Sequence, residues 1–232
     1  MLFCTKVVTQ LYFSYRMAEE MGGINLNKVD KMAGLSFENG LRLHFDSIML
    51  FKNQSYPSAH YLSVLAIEEI GKAFLLEDFL WHSLIDGRMQ QEWEERFLEN
   101  VFSHRFKQNS FARVFELIAR SGFFRSLYNG ELETLKQNSV YVGLARDKRK
   151  INLKGRINNP LKINQVKAQK QITNVNDCLI EFTLGVMKQV YGVDSPCVED
   201  LLNKRLLSQL KSQWPLIGSK TKMRLKKLEE ID

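Results

Sequence analysis

One helical stretch with charge at its centre constrains this chain most. Residues 58–76 (SAHYLSVLAIEEIGKAFLL) have the periodicity of a single long helix. On a heptad frame one seam is apolar except in its middle, and its members are Leu62, Leu65, Glu69, Lys72, Leu76 and Phe79. Gly71 adds a cost of roughly 1 kcal/mol of helix propensity relative to alanine. The charged residues and the glycine in the middle of this seam both make the helix less stable. A helix that accepts them is expected to be approached closely there by another backbone or by a ligand, and it is therefore a candidate functional site.

The charges in this seam allow two interpretations. Buried charge is expensive unless it is paired, and Glu68 and Glu69 lie four and three residues before Lys72, the spacing of an ion pair within one helix. The pair could belong to a site in the packed seam. It could equally be a surface ion pair at the edge of the seam.

Composition indicates a globular protein with free thiols. The 232 residues, 44% of them hydrophobic, are enough for one large domain or a domain with an appendage. We expect an N-terminal extension at 1–28, a main domain at 29–192 and a C-terminal helix with a basic tail at 193–232. The three cysteines are an odd number without metal-type spacing, which disfavours disulfides and zinc and predicts a reducing cytoplasm. Neither a secretion signal nor a membrane-spanning run is recognisable, so no membrane association is expected.

Basic residues are concentrated in the second half. Residues 1–140 contain 15 lysines and arginines against 17 aspartates and glutamates, whereas residues 141–232 contain 18 against 9. Between residues 146 and 170 there are nine basic residues and one acid, Asp147. Such a stretch favours an anionic partner, with nucleic acid the first candidate. A solvated, flexible basic loop is the alternative.

The apolar periodicity predicts an all-α bundle of long antiparallel helices with a basic loop at about 140–160. We expect helices at about 30–52, 58–85, 90–120, 131–138, 164–191 and 197–214. Residues 140–144 could be extended, and Ser195-Pro196 is a helix start signal.

Several chemistries are disfavoured by missing motifs. The chain has no Glu-x-x-His pair of the di-metal bundles, no phosphate-binding glycine loop and no serine nucleophile elbow. Polar residues on packed helices remain as candidates: Asn39, Glu68, Glu69, Lys72, His104 and Lys107. A histidine with lysines beside it suits general acid–base chemistry on a phosphate.

These residues also carry a family resemblance. Residues 66–73 (AIEEIGKA), preceded by Glu38-Asn39-Gly40 and followed by His104-Arg105-Phe106-Lys107, resemble the AbiV abortive-infection proteins of the HEPN superfamily of helical RNases. Leu135-Lys136, residues 140–142 and Pro160 lie where that family has its lysine, tyrosine-bearing segment and proline. The resemblance covers about residues 30–190.

The resemblance implies a HEPN bundle that forms a homodimer and acts in antiphage defence. It implies a metal-independent endoribonuclease, without a cofactor, in which the ribose 2′-hydroxyl attacks the adjacent phosphate. A phage-encoded protein could activate it, and its activity would stop translation or growth. Under this resemblance His104 is the acid or base, Lys72 and Lys107 bind phosphate, Glu68 or Glu69 orients them, and Asn39 supports the site. The RNA-binding candidates are Arg105, Arg146, Lys148, Arg149, Lys150, Lys154 and Arg156.

Two departures from the family pattern concern this site. Many HEPN RNases have an arginine four to six residues before the histidine, whereas here the nearest is Arg96, with seven residues between it and His104. Gly143 stands where the family has an acidic residue. Either Lys107 and Lys72 replace the arginine, or the assignment of His104 is wrong.

Three hypotheses follow. The first is an RNase effector of phage defence, and the second is a non-catalytic helical module that binds RNA or a partner protein. In the third, Glu69, Lys72 and His104 form a buried polar network that fixes helix register, which is compatible with either of the others.

Overall fold

The computed structural model describes residues 24–85, 91–115, 121–144, 146–147, 150–151 and 153–230. Within these residues the chain is an all-α bundle, as predicted, with ten helices and four two-residue strands. The helices are α1 (Leu26–Lys52), α2 (Tyr56–Ile85), α3 (Gln91–Phe102), α4 (His104–Phe115), α5 (Ser121–Tyr128), α6 (Glu131–Asn138), α7 (Gln165–Met187), α8 (Pro196–Glu199), α9 (Lys204–Gln213) and α10 (Ser219–Glu229). Most of the predicted N-terminal extension, residues 1–23, lies outside the described residues, and the three-part division of the chain stays a prediction.

Helices α1 and α2 form an antiparallel hairpin that is the centre of the bundle. The Asn25 side chain caps α1 by accepting a hydrogen bond from the backbone N–H of Lys28 at 3.1 Å. Residues 53–55 join the two helices. The helices approach closely at Gly40, where a Cβ atom would lie 2.6 Å from Cγ1 of Ile70. The long helix predicted from the charged seam is therefore α2, and it is buried against α1.

Three aromatic rings join α2, α4 and α7 in the core. The ring centroids of Phe74, Phe115 and Phe182 form a triangle with sides of 5.4 to 5.5 Å. Their near-perpendicular ring planes are the edge-to-face arrangement that aromatic quadrupoles favour. This packing fixes α4 against α2, and so positions the residues at the start of α4.

The helix predicted at about 90–120 is wrong as a single element. The chain forms α3 and α4, with Ser103 between them, and residues 116–120 lie outside the described residues. The Ser103 N–H donates to the Asn100 carbonyl at 3.0 Å, and the Ser103 carbonyl accepts from the Lys107 N–H at 3.1 Å. Serine is disfavoured within helices and favoured at their starts, which is the physical reason for the break. His104 is therefore the first residue of a helix.

The C-terminal region also differs from its prediction. The expected helix at 197–214 is divided into α8 and α9, because Asn203 caps α9 by accepting from the N–H groups of Arg205 and Leu206. The basic tail forms α10, which Asp177 of α7 holds by accepting from the Gly218 N–H at 3.1 Å and from Thr221 Oγ1 at 3.0 Å. Helix α7 ends at Met187, before the predicted 191, and Gln189 is left-handed with φ of 55°.

The basic segment contains short antiparallel pairs instead of loop alone. Strand β1 (Gly143–Leu144) pairs with β4 (Ile157–Asn158), and β2 (Arg146–Asp147) pairs with β3 (Lys150–Ile151). The extended segment at 140–144 was expected. The Asn158 amide donates to the carbonyls of Asn138 at 3.3 Å and Tyr141 at 2.9 Å, so this segment is tied to the end of α6.

Within the described ranges, every helix is too short or too polar to cross a bilayer.

Candidate active site

The centre of the site is Glu68, a carboxylate of α2 with only 2% of its surface exposed. Its Oε1 atom accepts hydrogen bonds from Lys136 Nζ at 2.7 Å and from Gln108 Nε2 at 2.9 Å. Its Oε2 atom lies 2.8 Å from Nδ1 of His104. Three donors from two other helices therefore satisfy one buried carboxylate, which is the requirement for burying it at all.

The contact with Glu68 determines the tautomer of His104. An ionised carboxylate can only accept, so Nδ1 carries the hydrogen in this contact and Nε2 of the neutral ring keeps its lone pair. The His104 side chain is 59% exposed. A buried carboxylate thus orients an accessible imidazole, an arrangement used for general acid–base catalysis.

Lys136 neutralises the buried end of this cluster. Its Nζ lies between Glu68 and Glu133, 2.6 Å from Glu133 Oε2. Burial favours a lower lysine pKa, but the hydrogen bonds to Glu133 and Glu68 outweigh it, so the pKa of Lys136 is raised. Burial likewise favours a higher pKa for Glu133, and the bonds from Lys136 and Gln137 reverse this, so its pKa is lowered. Both shifts favour the charged forms of Lys136 and Glu133.

A second layer of the site contains Glu69, Asn39 and Lys107. The Asn39 amide donates to Glu69 Oε2 at 3.1 Å, and Lys107 Nζ lies 4.0 Å from Glu69 Oε1. Lys107 follows His104 by one turn of α4 and has 8% of its surface exposed. The predicted candidates Asn39, Glu69 and Lys107 therefore meet at the crossing of α1, α2 and α4.

Arg42 extends this second layer along α1. Its guanidinium donates to Asn39 Oδ1 through Nε at 3.3 Å and Nη2 at 2.9 Å, and it pairs with Asp46 at 2.8 Å. The Asn39 side chain therefore joins Arg42 to Glu69, so that its oxygen accepts while its nitrogen donates.

Gly71 is where α4 reaches α2. A Cβ atom on Gly71 would lie 1.9 Å from the Lys107 carbonyl oxygen and 2.8 Å from its carbonyl carbon. No side chain fits there, so the predicted close approach of another backbone is confirmed. The same approach places His104 and Lys107 beside Glu68 and Glu69.

Lys72 does not pair with Glu68 or Glu69, so the expected ion pair within α2 is wrong. Its Nζ lies 6.0 Å from the ring centroid of Phe102, a cation–π contact. The glutamates have other partners because α4 and α6 bring Lys107 and Lys136 to them. Glu68 is buried, so a surface ion pair does not describe it either.

The predicted RNA-binding residues lie in two places. Arg105 is exposed beside His104, and Lys154 and Arg156 are exposed in the basic segment. Arg146 and Lys150 belong to β2 and β3, whereas Lys148 and Arg149 lie outside the described residues. The basic segment leaves from the end of α6, the helix that supplies Lys136.

The two buried histidines are structural. His44 Nε2 lies 3.0 Å from Asn176 Oδ1, and burial lowers the pKa of His44 to about 4. His60 bonds Ser139 at 3.0 Å, and its pKa is also lowered to about 4, by burial and then by the charge of Lys167. Both imidazoles are therefore neutral at pH 7 and buried.

One cluster of the described residues has the spacing of a cation site. Glu68, His104 and Glu133 offer ligand atoms that all lie within 4.8 Å of one another. The Lys136 ammonium lies between the two carboxylates and supplies positive charge there. A divalent cation would have to displace this ammonium, so the donor set suits a lysine better than a metal.

Three members of the site were not among the predicted site residues: Gln108, Glu133 and Lys136. Gln108 follows His104 by four residues in the stripe that faces α2, which is a usable signal. Lys136 follows the buried Leu132 by four residues, so it lies on the apolar face of α6. Its partner Glu68 is 68 residues away, and no local pattern indicates that contact.

The family model HEPN_AbiV, described as AbiV, matches residues 28–181. The chain belongs to the AbiV family of HEPN proteins. It is therefore an abortive-infection protein, related to defence. Comparison with curated proteins and with solved structures gives no match.

Proposed function

We propose that this AbiV-family protein is an endoribonuclease effector of phage defence, with His104 as its acid or base. The observation that supports this most is the contact of His104 Nδ1 with the buried Glu68 carboxylate at 2.8 Å. Glu68 is buried, paired with Lys136, and in contact with an exposed imidazole. A role in fixing helix register does not explain this contact, because a ring that is 59% exposed adds little to packing.

The reaction would be attack of a ribose 2′-oxygen on the neighbouring phosphate. Nε2 of His104 would accept the 2′-hydroxyl proton as the new P–O bond forms, and the 5′-oxygen would leave with a proton from solvent. A 2′,3′-cyclic phosphate and a 5′-hydroxyl would result. Glu68 would stabilise the imidazolium that forms. The cations of Lys72, Lys107 and Arg105 would stabilise charge on the phosphoryl oxygens.

The start of α4 adds a feature that suits a phosphate. The first backbone N–H groups of any helix lack acceptors within it, and here they belong to His104 and the residues next to it. The imidazole and these donors therefore lie at the same end of one helix. We propose RNA as the substrate, with a second copy of the chain and a phage-encoded activator as partners.

A growth assay tests this function. Wild type, His104→Ala and Lys72→Ala would be expressed from an inducible promoter, with and without phage infection, and growth and total RNA integrity would be followed. We expect growth arrest and RNA degradation with wild type and with the control variant, but not with His104→Ala or Lys72→Ala. His82→Ala is the control, since His82 is exposed on α2 away from the Glu68 cluster. If His104→Ala arrests growth and degrades RNA like wild type, the proposed site is wrong.

A non-catalytic binding module is the second candidate, and the segment after α6 favours it. This segment exposes several large apolar side chains next to its basic residues, including Tyr141, Val142, Leu153, Ile157, Leu161 and Val166. Exposed apolar surface of this extent is typical of a contact with a partner. In this alternative the His104 cluster would only hold the helices together.

Charge reversal distinguishes this candidate. Lys154→Glu with Arg156→Glu should weaken RNA binding and reduce its dependence on salt, since each lost phosphate contact lowers the salt slope by about one. His104→Ala should leave this binding intact. RNA binding that is insensitive to salt would argue against the module.

A further inference from the structure

The junction between α3 and α4 presents planar side chains to solvent. Of the five residues 102–106, four are exposed: Phe102, His104, Arg105 and Phe106. Phe102 has 67% of its surface exposed and Phe106 has 47%. We propose that Phe102 and Phe106, at the junction of α3 and α4, form a stacking platform for unpaired bases of RNA. The ligand's identity rests on the proposed function, but the platform is argued from its own residues.

The exposure of these two rings is not a failure of the helices to bury their apolar faces. Val101, Phe111 and Phe115 of the same two helices are fully buried. The break at Ser103 lies between Phe102 and His104, and the rings of Phe102 and Phe106 remain outside the core. Two phenylalanines exposed within two residues of His104 in the sequence suit a ligand with flat apolar faces.

Nucleobases have such faces, and the neighbouring charges suit the rest of a nucleotide. Lys72 Nζ lies 6.0 Å from the Phe102 ring centroid, and the exposed Arg105 lies between His104 and Phe106 in the sequence. Bases stack on aromatic rings and on arginine planes, while phosphates bind the cations.

This platform determines the substrate class. In a duplex the faces of the bases are covered by their neighbours, and only unpaired bases can lie on a protein ring. The platform therefore selects single strands, loops or bulges, and rejects continuous double-stranded RNA. Stacking tolerates any base, so selectivity for secondary structure should exceed selectivity for sequence.

Binding measurements in the His104→Ala protein test the platform without cleavage. The probes are a fluorescent single-stranded oligoribonucleotide of mixed sequence and the same strand annealed to its complement. Phe102→Leu and Phe106→Leu keep the apolar surface but remove the ring, and Phe102→Tyr and Phe106→Tyr keep the ring. Met223→Ala on α10 is the control, since Met223 is equally exposed at 67%.

We expect each leucine variant to weaken single-strand binding by roughly fivefold to a hundredfold. The tyrosine variants and Met223→Ala should bind within about twofold of the parent, and the duplex should bind far more weakly. The platform is overturned if the parent binds duplex as tightly as single strand, or binds neither. It is also overturned if the leucine variants bind like the parent. If a leucine variant changes from dimer to monomer in light scattering while its RNA binding is unaltered, the rings are covered by a second copy of the chain.

The outcomes separate this inference from the proposed function. Loss of single-strand binding in the leucine variants, with no cleavage by wild type under any condition, would retain the platform and reject the RNase. Cleavage by wild type and equally by Phe102→Leu and Phe106→Leu would retain the RNase and reject the platform.

Discussion

His104 Nδ1 lies 2.8 Å from Oε2 of Glu68, a carboxylate whose other oxygen is 2.7 Å from the ammonium of Lys136. The three side chains belong to α4, α2 and α6. An exposed imidazole is thus connected through a buried carboxylate to a buried cation. The same carboxylate therefore stabilises the bundle and orients the histidine. Unfolding measures the first effect and RNA cleavage measures the second.

Glu68→Gln should destabilise the protein strongly. It leaves Lys136 with only the half-exposed Glu133 as its negative partner, and breaking a buried pair costs roughly 3–5 kcal/mol. Urea unfolding measures the change. Glu133→Gln is the control and should cost about 1 kcal/mol, since Glu68 would remain beside the lysine. Equal effects of the two substitutions would contradict the central position of Glu68.

Gly71→Ala should disrupt the crossing of α2 and α4. The new Cβ would lie 1.9 Å from the Lys107 carbonyl oxygen, so one helix must move. We expect a loss of at least 2–3 kcal/mol, the range of severe overpacking, together with loss of activity. In the control, Gly122→Ala, the Cβ would meet nothing within 4 Å, and the gain in helix propensity should stabilise by up to about 1 kcal/mol. If both alanines are tolerated, the close approach is absent in solution.

Glu77 should make stability fall as the pH rises. Burial, with Asp194 and Asp30 nearby, raises its pKa from 4.5 to about 8, while bonds from the backbone of Ser195 and Asp194 act the other way. The folded protein then holds a proton that the unfolded chain releases above pH 4.5. The contribution is complete below pH 4.5 and is lost as the pH rises towards 8. Thermal unfolding between pH 5 and 8 measures it.

Glu77→Gln should flatten this dependence and raise the melting temperature near pH 8. The expected difference in slope is of order 1 kcal/mol per pH unit within the window. Glu38→Gln, at an exposed position of α1, is the matched control and should leave the pH dependence as in wild type. The prediction is contradicted if the stability of wild type, relative to that of Glu77→Gln, rises between pH 5 and pH 8.

Lys72→Ala should reduce cleavage without affecting folding. Lys72 is half-buried and touches the exposed Phe102 ring, a contact worth about 1 kcal/mol or less at such a site. If Lys72 binds phosphate, the loss should appear as weaker RNA binding and slower cleavage with an almost unchanged melting temperature. Circular dichroism and cleavage rates on the same preparations measure both. Unchanged cleavage would remove Lys72 from the site.

The sequence predicts the long helices well because their periodicity is local. Helices α1, α2 and α7 extend over many turns, and their apolar spacing identifies them within a few residues. The break at Ser103 was missed because the apolar stripe continues across it from Val101 to Gln108. The serine between the two helices, rather than the spacing of apolar residues, marks where α4 begins.

The site was predictable as a set of residue types but not as a set of contacts. Gly71 indicated a close approach, and the structure places Lys107 there. The pairing of Lys72 with its own helix was wrong because Lys136, 68 residues from Glu68 in the sequence, forms the buried bond instead. Tertiary contacts of this separation depend on how the helices pack, which no local pattern encodes.

The most direct test is cleavage of total bacterial RNA by purified protein in excess EDTA. Wild type, His104→Ala and His82→Ala would be compared, with and without lysate from phage-infected cells, and the chemistry of the new RNA ends would be determined. The account predicts cleavage by wild type and His82→Ala but not by His104→Ala, with 2′,3′-cyclic phosphate ends. Cleavage by His104→Ala at the wild-type rate would contradict it, as would the absence of cleavage by wild type both with and without the lysate.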